Sequence, residues 1–259
     1  MKIKHTHFDT PSPMDLFLPE GTGPFGLICM TPILGRLLFL QDLFIEMRLA
    51  RFFASQGFAC ALIDRPIFEF TPSKGLEQIQ DYLATAASRN QAALDALLNF
   101  KEIDPARTAS FGISFGAIVN LLWAAREPRL ACHVFALGGV QLAEIFVTSR
   151  DPLMKSYQTA AFKQTGLSGQ ALGAALKNIF CPDPLELCPK IRSESVLMVL
   201  ARFDHVVRYS YQQDLWEALG RPEKILLPLG HYTSLAALPF LKFRAAAFFK
   251  RKFSMTAVS

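Results

Sequence analysis

The sequence predicts an α/β protein built on a doubly wound, mostly parallel sheet with helices on both faces. Short apolar runs of strand length alternate with longer helix-like runs along most of the chain. At 259 residues and 51% hydrophobic content, the chain can bury one large core. Polar residues follow several of the strand-like runs, at the sheet edge where open parallel sheets hold their sites. We therefore predict a single domain over residues 1–259.

In the first half of the chain, glycine and proline separate the predicted elements. A first core strand over residues 25–29 is followed by a helix over 37–56 and a strand over 58–63. A long helix is predicted over 76–100. Because the N-terminal region is short, we expect the first one or two strands of such a sheet to be missing or reduced.

The second half continues the alternation and contains one interruption. Six further elements are predicted, in the order strand, helix, strand, strand, helix, strand: residues 107–111, 117–125, 130–137, 195–201, 209–219 and 224–227. Residues 140–190 break this rhythm with helical pieces and prolines, and we expect them to cover the site as a cap or lid. The apolar residues expected to line the site from this cap are Leu142, Ile145, Phe146, Leu153, Phe162 and Leu172.

The strongest chemical signal is the pentapeptide G-I-S-F-G at residues 112–116, between a predicted strand and a predicted helix. A strand that turns at once into a helix strains its turn residue, and glycines two positions before and after remove the clashes. The Ser114 hydroxyl then stands at a helix N-terminus, where backbone amides favour developing negative charge. A chance match in an ordinary loop is the alternative, and the flanking elements favour a nucleophile.

An acid and a base follow the serine in the chain order of a hydrolytic triad. Asp204 comes after the strand over 195–201, and His231 lies in the loop after the strand over 224–227. Because parallel strands end at one edge of the sheet, we expect these residues to converge on Ser114. Serine attacks, histidine takes its proton, and aspartate orients the imidazole and stabilises the imidazolium.

Residues of the same types nearby are interpreted as non-catalytic. His205 adjoins the acid and cannot turn back to receive that carboxylate and also reach Ser114. Asp214 falls within the predicted helix over 209–219, beyond the strand edge. Ser110 and His133 sit inside strand-like runs and are interpreted as core residues.

With these motifs the chain resembles the α/β-hydrolase superfamily, from about residue 25 to residue 253. The stretches I-D-P-A-R at 103–107 and A-R-F-D-H-V-V at 201–207 look most like the dienelactone hydrolase and acetyl-esterase-like branch. The resemblance implies a serine esterase that acts on a small-molecule acyl ester through an acyl-enzyme, without a metal or an organic cofactor. Acyl transfer, thioester or peptide cleavage with the same triad, and a non-catalytic binding protein that keeps the fold, stay open.

The loop after the first core strand departs from the pattern of that superfamily. His-Gly usually stands where this chain has Thr31-Pro32, so the matching oxyanion donor is the Ile33 N–H, beside the Phe115 N–H. Pro32 itself has no N–H to donate. We predict an oxyanion hole made by Phe115 and Ile33, and a plain proline-stiffened turn is the alternative.

Charge and cysteine content indicate the setting of the protein. The net charge is +5, and the lysines and arginines are scattered along the chain, so no nucleic-acid partner is expected. An odd total of 5 cysteines and the lack of an apolar leader favour a cytoplasmic protein. Cys181 and Cys188 are close enough in sequence to pair, whereas the other three are interpreted as buried thiols. No metal-ligand spacing is visible, and His5 and His7 are interpreted as solvated.

Two segments have the composition of membrane-associated sequences. Residues 108–125 carry no charge, but they divide into a strand, a turn and a helix, so no integral membrane span is predicted. The basic, aromatic segment 240–250 could lie on a membrane surface. A last helix that packs on the sheet is the favoured interpretation.

Overall fold

The computed structural model describes residues 2–10, 12–33, 44–64 and 75–256. Within them eight strands form one sheet: β1 Ile3–Phe8, β2 Met14–Pro19, β3 Phe25–Thr31, β4 Ala59–Ile63, β5 Ile103–Ile113, β6 Cys132–Ala136, β7 Val196–Ala201 and β8 Glu223–Leu227. The spatial order is β1-β2-β4-β3-β5-β6-β7-β8. Strand β2 is antiparallel to β1 and β4, and every other neighbouring pair is parallel. The predicted mostly parallel sheet is confirmed.

Helices cover both faces of this sheet. Those of the described residues are α1 Phe44–Ser55, α2 Gln78–Leu97, α3 Phe115–Ala124, α4 Leu142–Thr148, α5 Pro152–Thr165, α6 Gly169–Ile179, α7 Pro184–Leu187, α8 Tyr209–Ala218 and α9 Leu238–Thr256. Along β3, Ile28 and Met30 pack with α1 and α9, whereas Leu27 and Cys29 pack with α2 and α3. This alternation explains why the strand is apolar throughout. Residues 37–43 of the predicted first helix lie outside the described residues.

The N-terminal strands correct one expectation. Both β1 and β2 are present, paired antiparallel from Ile3 opposite Pro19 to Phe8 opposite Met14. Neither strand is missing from the sheet. β1 is an edge strand with mostly polar, partly exposed residues. Its sequence therefore shows little of the apolar pattern from which a strand is predicted.

The insertion between β6 and β7 folds into α4, α5, α6 and α7. Residues of α4, α5 and α6 share one apolar cluster with residues of α2 and α3. Of its predicted site-lining residues, Leu142 and Leu172 are buried within that packing. Leu153 and Phe162 face solvent, at 38% and 52% exposure. Its role as a cap therefore depends on other residues of the segment.

The last helix packs against the sheet, as the favoured interpretation has it. Phe248, Phe249 and Phe253 are buried in the core shared with α1. Phe240 and Phe243, near the start of α9, are exposed. No helix among the described residues is both long enough and apolar enough to cross a membrane.

All five cysteines are free thiols. Cys29, Cys60 and Cys132 are buried in β3, β4 and β6, as interpreted from the sequence. Cys181 is exposed while Cys188 is buried, and the two are not paired.

Candidate active site

Ser114 lies at the turn between β5 and α3 with a backbone that L-residues rarely adopt, at φ 55° and ψ −119°. Its N–H donates to the carbonyl of Ala136 on β6 at 2.7 Å, which fixes the turn to the neighbouring strand. A Cβ on Gly112 would overlap the backbone of Gly116, and one on Gly116 would overlap the carbonyl of Thr31. The motif therefore needs both glycines for close backbone contact.

Hydrogen bonds join the three predicted triad residues in a line. Nε2 of His231 lies 2.9 Å from Oγ of Ser114, and Nδ1 lies 2.7 Å from Oδ2 of Asp204. A neutral imidazole that donates from Nδ1 to the carboxylate leaves Nε2 free to accept the serine proton. The structure thus brings these residues together from the ends of β5, β7 and β8.

The carboxylate of Asp204 is buried, and both of its oxygens are held by donors. Oδ1 accepts from the N–H groups of Val206 and Val207, at 2.8 and 2.9 Å. Oδ2 accepts from Nε2 of Gln212 at 2.9 Å as well as from His231. These donors fix the orientation of this carboxylate.

Gln212, which no motif in the sequence indicates, donates a hydrogen bond to Asp204. It is completely buried, and its Oε1 accepts from the N–H of Ala201 at 2.9 Å. Its Nε2 also donates to the carbonyl of Val207 at 2.7 Å. The available signal was one glutamine on the inner side of the predicted helix over 209–219.

The other serine, histidines and aspartate lie away from this line. Ser110 Oγ is 3.0 Å from Nδ1 of His133, in the interior of the sheet. Burial lowers the pKa of His133 to about 3, so this imidazole is neutral. His205 is exposed, and Asp214 accepts a hydrogen bond at 2.7 Å from a glutamine before α4.

The two predicted oxyanion donors are in different states. The Phe115 N–H is the first amide of α3 and has no acceptor within its own helix. The Ile33 N–H donates to Oε1 of Glu46 at 3.2 Å. Glu46 belongs to α1 and is only 5% exposed. The Ile33 amide is therefore engaged by a carboxylate, and its role as an oxyanion donor stays a prediction.

A buried polar network fixes the start of the Thr31-Pro32 loop. The Thr31 hydroxyl donates to Oδ1 of Asn120 at 2.6 Å. Nδ2 of Asn90 donates to the same two side chains, at 2.7 and 3.1 Å. The network ties β3 to α2 and α3, so the Thr31-Pro32 loop is anchored to the helix that follows Ser114. Asn120, a lone amide in an apolar helix, was the sequence signal for it.

Ser114 and His231 open into a cavity of about 120 Å³. Its walls are mostly apolar, and Phe115 and Ile118 of α3 contribute to them. The insertion supplies further wall residues, which are Ile145, Phe146, Ser149, Asp151 and Met154. Of the six expected from the sequence, Ile145 and Phe146 are the two on this wall.

Sequence comparison relates part of the chain to named esterases. No protein-family model matches the chain. Over 126 residues it is 36% identical to Esterase FrsA of Escherichia fergusonii, a match that covers 48% of this chain. The same match spans 28% of that protein, so most of the relative has no counterpart in the alignment.

Structural comparison covers nearly the whole chain. The acetyl xylan esterase from Paenibacillus sp. R4 has a TM-score of 0.67, with 96% of this chain and 88% of that chain covered at 16% identity. The acylaminoacyl peptidase of Pyrococcus horikoshii has a TM-score of 0.65 at 15% identity, over 98% of this chain and 41% of that one. The chain therefore has the fold of these hydrolases. The fold that the resemblance implies is confirmed.

A side-chain hydrogen bond connects the histidine loop to the insertion. The hydroxyl of Tyr232, the residue after His231, donates to the carboxylate of Asp151. Asp151 also caps α5 by accepting from the N–H groups of Leu153 and Met154, at 2.8 and 3.1 Å. Burial and this carboxylate raise the pKa of Tyr232, so its hydroxyl stays protonated as a donor.

Proposed function

We propose that the chain is a serine hydrolase that cleaves carboxylic esters through an acyl-enzyme on Ser114. The observation that carries the proposal is the unbroken hydrogen-bond line from Asp204 through His231 to Ser114, opening into a mostly apolar cavity. The sequence likeness to an esterase over 126 residues supports the same chemistry.

The first half-reaction transfers the acyl group to the enzyme. Ser114 Oγ attacks the ester carbonyl while Nε2 of His231 takes its proton, and the carbonyl π electrons move onto the oxygen. The N–H of Phe115 stabilises that oxyanion, with the Ile33 N–H as its partner once Glu46 yields it. The imidazolium then protonates the alcohol, which leaves as the carbonyl re-forms.

The second half-reaction returns the serine to its starting state. Nε2 of His231 takes a proton from water, whose oxygen attacks the acyl carbon. The tetrahedral intermediate collapses, the acid is released, and the imidazolium gives its proton back to Ser114. Throughout, Asp204 keeps the imidazole oriented and compensates its positive charge, a role for which Gln212 and two backbone amides hold it.

The cavity favours a short acyl group. Its volume of about 120 Å³ is small beside typical ligand pockets of roughly 300–1,000 Å³. We propose that the insertion acts as the cap, with Ile145, Phe146 and Met154 bounding the acyl group. The same acyl-enzyme serves transfer to another acceptor, so added alcohols would compete with water if transfer is the reaction.

Labelling with a fluorophosphonate probe tests the proposal. One probe molecule should attach to each protein chain, and peptide mapping after digestion should locate the label on Ser114. Ser114→Ala should abolish labelling, whereas Ser110→Ala, a matched loss of one hydroxyl from the same strand region, should retain it. Hydrolysis of short-chain esters should disappear with the same variant. Labelling at another residue, or ester turnover by Ser114→Ala, would contradict the mechanism.

A further inference from the structure

Glu46 is a buried carboxylate that the proposed mechanism does not use. It lies on the wall of the cavity that holds Ser114 and His231, and it is 5% exposed. Its hydrogen bond within the described residues comes from the Ile33 N–H at 3.2 Å. Among those residues no lysine, arginine or histidine forms an ion pair with it.

The Ile33 amide occupies only one of the acceptor positions of this carboxylate. An ionised carboxylate has two oxygens with about four acceptor positions. A buried charge with so few partners is expensive unless a cation or further donors join it. Asp204 shows the alternative within the same site, since donors surround both of its oxygens. Glu46 therefore has acceptor positions open on the cavity side.

The rest of the cavity lining leaves this charge uncompensated. Its other carboxylate, Asp151, is already bound by the Tyr232 hydroxyl and by backbone amides of α5. No lysine or arginine occurs among the described residues that line the cavity. The lining thus combines apolar walls with negative charge, which disfavours anionic acyl groups and attracts cationic ones.

We propose that Glu46 selects esters whose acyl group carries a protonated amine, an inference that rests on the proposed ester hydrolysis. Glu46 accepts a hydrogen bond from the Ile33 N–H, and the same amide is proposed to donate to the carbonyl oxygen of the substrate. The ammonium group must therefore lie within a few bonds of that carbonyl. An ammonium paired with Glu46 competes for the carboxylate and releases the Ile33 amide to the oxyanion.

A pair of isosteric esters provides the test. Methyl β-alaninate and methyl butyrate differ by an ammonium group in place of a methyl group. For each, kcat/KM is divided by the rate of spontaneous hydrolysis to remove the difference in intrinsic reactivity. The wild type should prefer the β-alanine ester by about tenfold or more, as expected of a charge-assisted contact. A preference for methyl butyrate overturns the proposal without any variant.

Glu46→Gln keeps the size of the side chain and an acceptor for Ile33, but it removes the charge. It should abolish the preference while it still hydrolyses methyl butyrate. Glu194→Gln, the same change at an exposed position, is the matched control and should keep the wild-type ratio. An unchanged ratio in Glu46→Gln overturns the assignment.

Binding measurements separate this proposal from the proposed reaction. If the wild type hydrolyses neither ester, ester hydrolysis of this class fails, and the role of Glu46 is decided by calorimetry on Ser114→Ala. That protein should bind methyl β-alaninate about tenfold more tightly than methyl butyrate, and adding Glu46→Gln should remove the difference. Equal affinities overturn the role of Glu46 whatever the outcome of the kinetics.

Discussion

Two serine–histidine pairs have serines that are close together in the sequence, Ser114 and Ser110. The distances from serine oxygen to imidazole nitrogen are almost the same in the two pairs. Ser114 Oγ is 2.9 Å from His231, and Ser110 Oγ is 3.0 Å from His133. The first pair has Asp204 behind the imidazole, a strained serine backbone and a cavity in front. The second is sealed in the sheet. A short Ser–His contact is therefore common to both pairs, and the third partner and the access to the cavity set the first pair apart.

The largest effect is expected when the serine of the first pair is replaced. Ser114→Ala should lower kcat for ester hydrolysis by about 10⁴-fold or more, because among the described residues no other hydroxyl is hydrogen-bonded to the His231 imidazole. Ser110→Ala should leave kcat near the wild-type value and lower the free energy of unfolding by about 1–3 kcal/mol, since it leaves a buried histidine without its partner. Steady-state kinetics and urea unfolding of both variants measure the contrast. Equal losses of activity would remove the distinction between the pairs.

Replacing the two histidines should give a comparable contrast. His231→Ala removes the base, so its kcat should fall nearly as far as that of Ser114→Ala. His133→Gln should retain most of the activity, because the residue contacts the cavity neither directly nor through the triad. His205→Ala, an exposed neighbour of the acid, serves as a second control. Near-normal turnover by His231→Ala would exclude it as the base.

The acid distinguishes the pairs most clearly, and its loss should rank next. Asp204→Asn should reduce kcat by about a thousandfold or more, because the imidazole loses its orienting partner and the imidazolium its counter-charge. Asp214→Asn makes the same chemical change on α8, where the carboxylate accepts a hydrogen bond from Gln141, and it should leave kcat nearly unchanged. The comparison uses ester hydrolysis by the two purified variants. Matching rates in the two would argue against Asp204.

A smaller effect is expected from Gln212, which holds the acid rather than the base. Gln212→Leu keeps the volume but removes the donor to Oδ2 of Asp204 at 2.9 Å. Losing a hydrogen bond to a charged group is worth about 1.5–3 kcal/mol, which corresponds to roughly 10–100-fold in kcat. KM should change little, because the side chain lies outside the cavity. A change confined to KM would contradict a role in positioning the acid.

The second pair should be visible in stability rather than in catalysis. The pKa of His133 is lowered from 6.5 to about 3 by burial, so the unfolded chain binds a proton that the folded one does not. As pH falls below about 6.5, the wild type should lose up to about 1.4 kcal/mol of unfolding free energy per pH unit from this residue. His133→Gln lacks this contribution, so its stability should decline less steeply in urea unfolding between pH 7 and 5. Parallel curves would contradict a neutral buried imidazole.

The architecture and the residues of the line were predictable because they follow from local patterns. Two glycines around Ser114 predict the tight turn, and the strand before Asp204 predicts which sheet edge it reaches. The edge strand β1 was not predictable because its exposed, mostly polar residues leave no apolar run. Such signals exist only where one face of a strand or helix is consistently buried.

Gln212 and Glu46, the partners of Asp204 and Ile33, could be identified only from the three-dimensional structure. Gln212 lies on α8 and contacts Asp204 in the loop before that helix. Glu46 lies on α1 and contacts Ile33, which lies beyond the end of β3. Neither contact follows a regular sequence spacing. Both are polar residues of helices, where most polar side chains face solvent. Only the packing of α1 and α8 against the site determines that these two face inward.

The bond from Tyr232 to Asp151 links the reach of the substrate to the alignment of the base. Because Tyr232 follows His231 and Asp151 is the N-cap of α5, one hydrogen bond joins the histidine loop to the insertion beside the cavity. A ligand that displaces α5 is expected to break this bond and to shift the loop that carries the imidazole. If the chain hydrolyses esters as proposed, a large acyl group is therefore excluded both by the cavity wall and by the displacement of His231 that it causes.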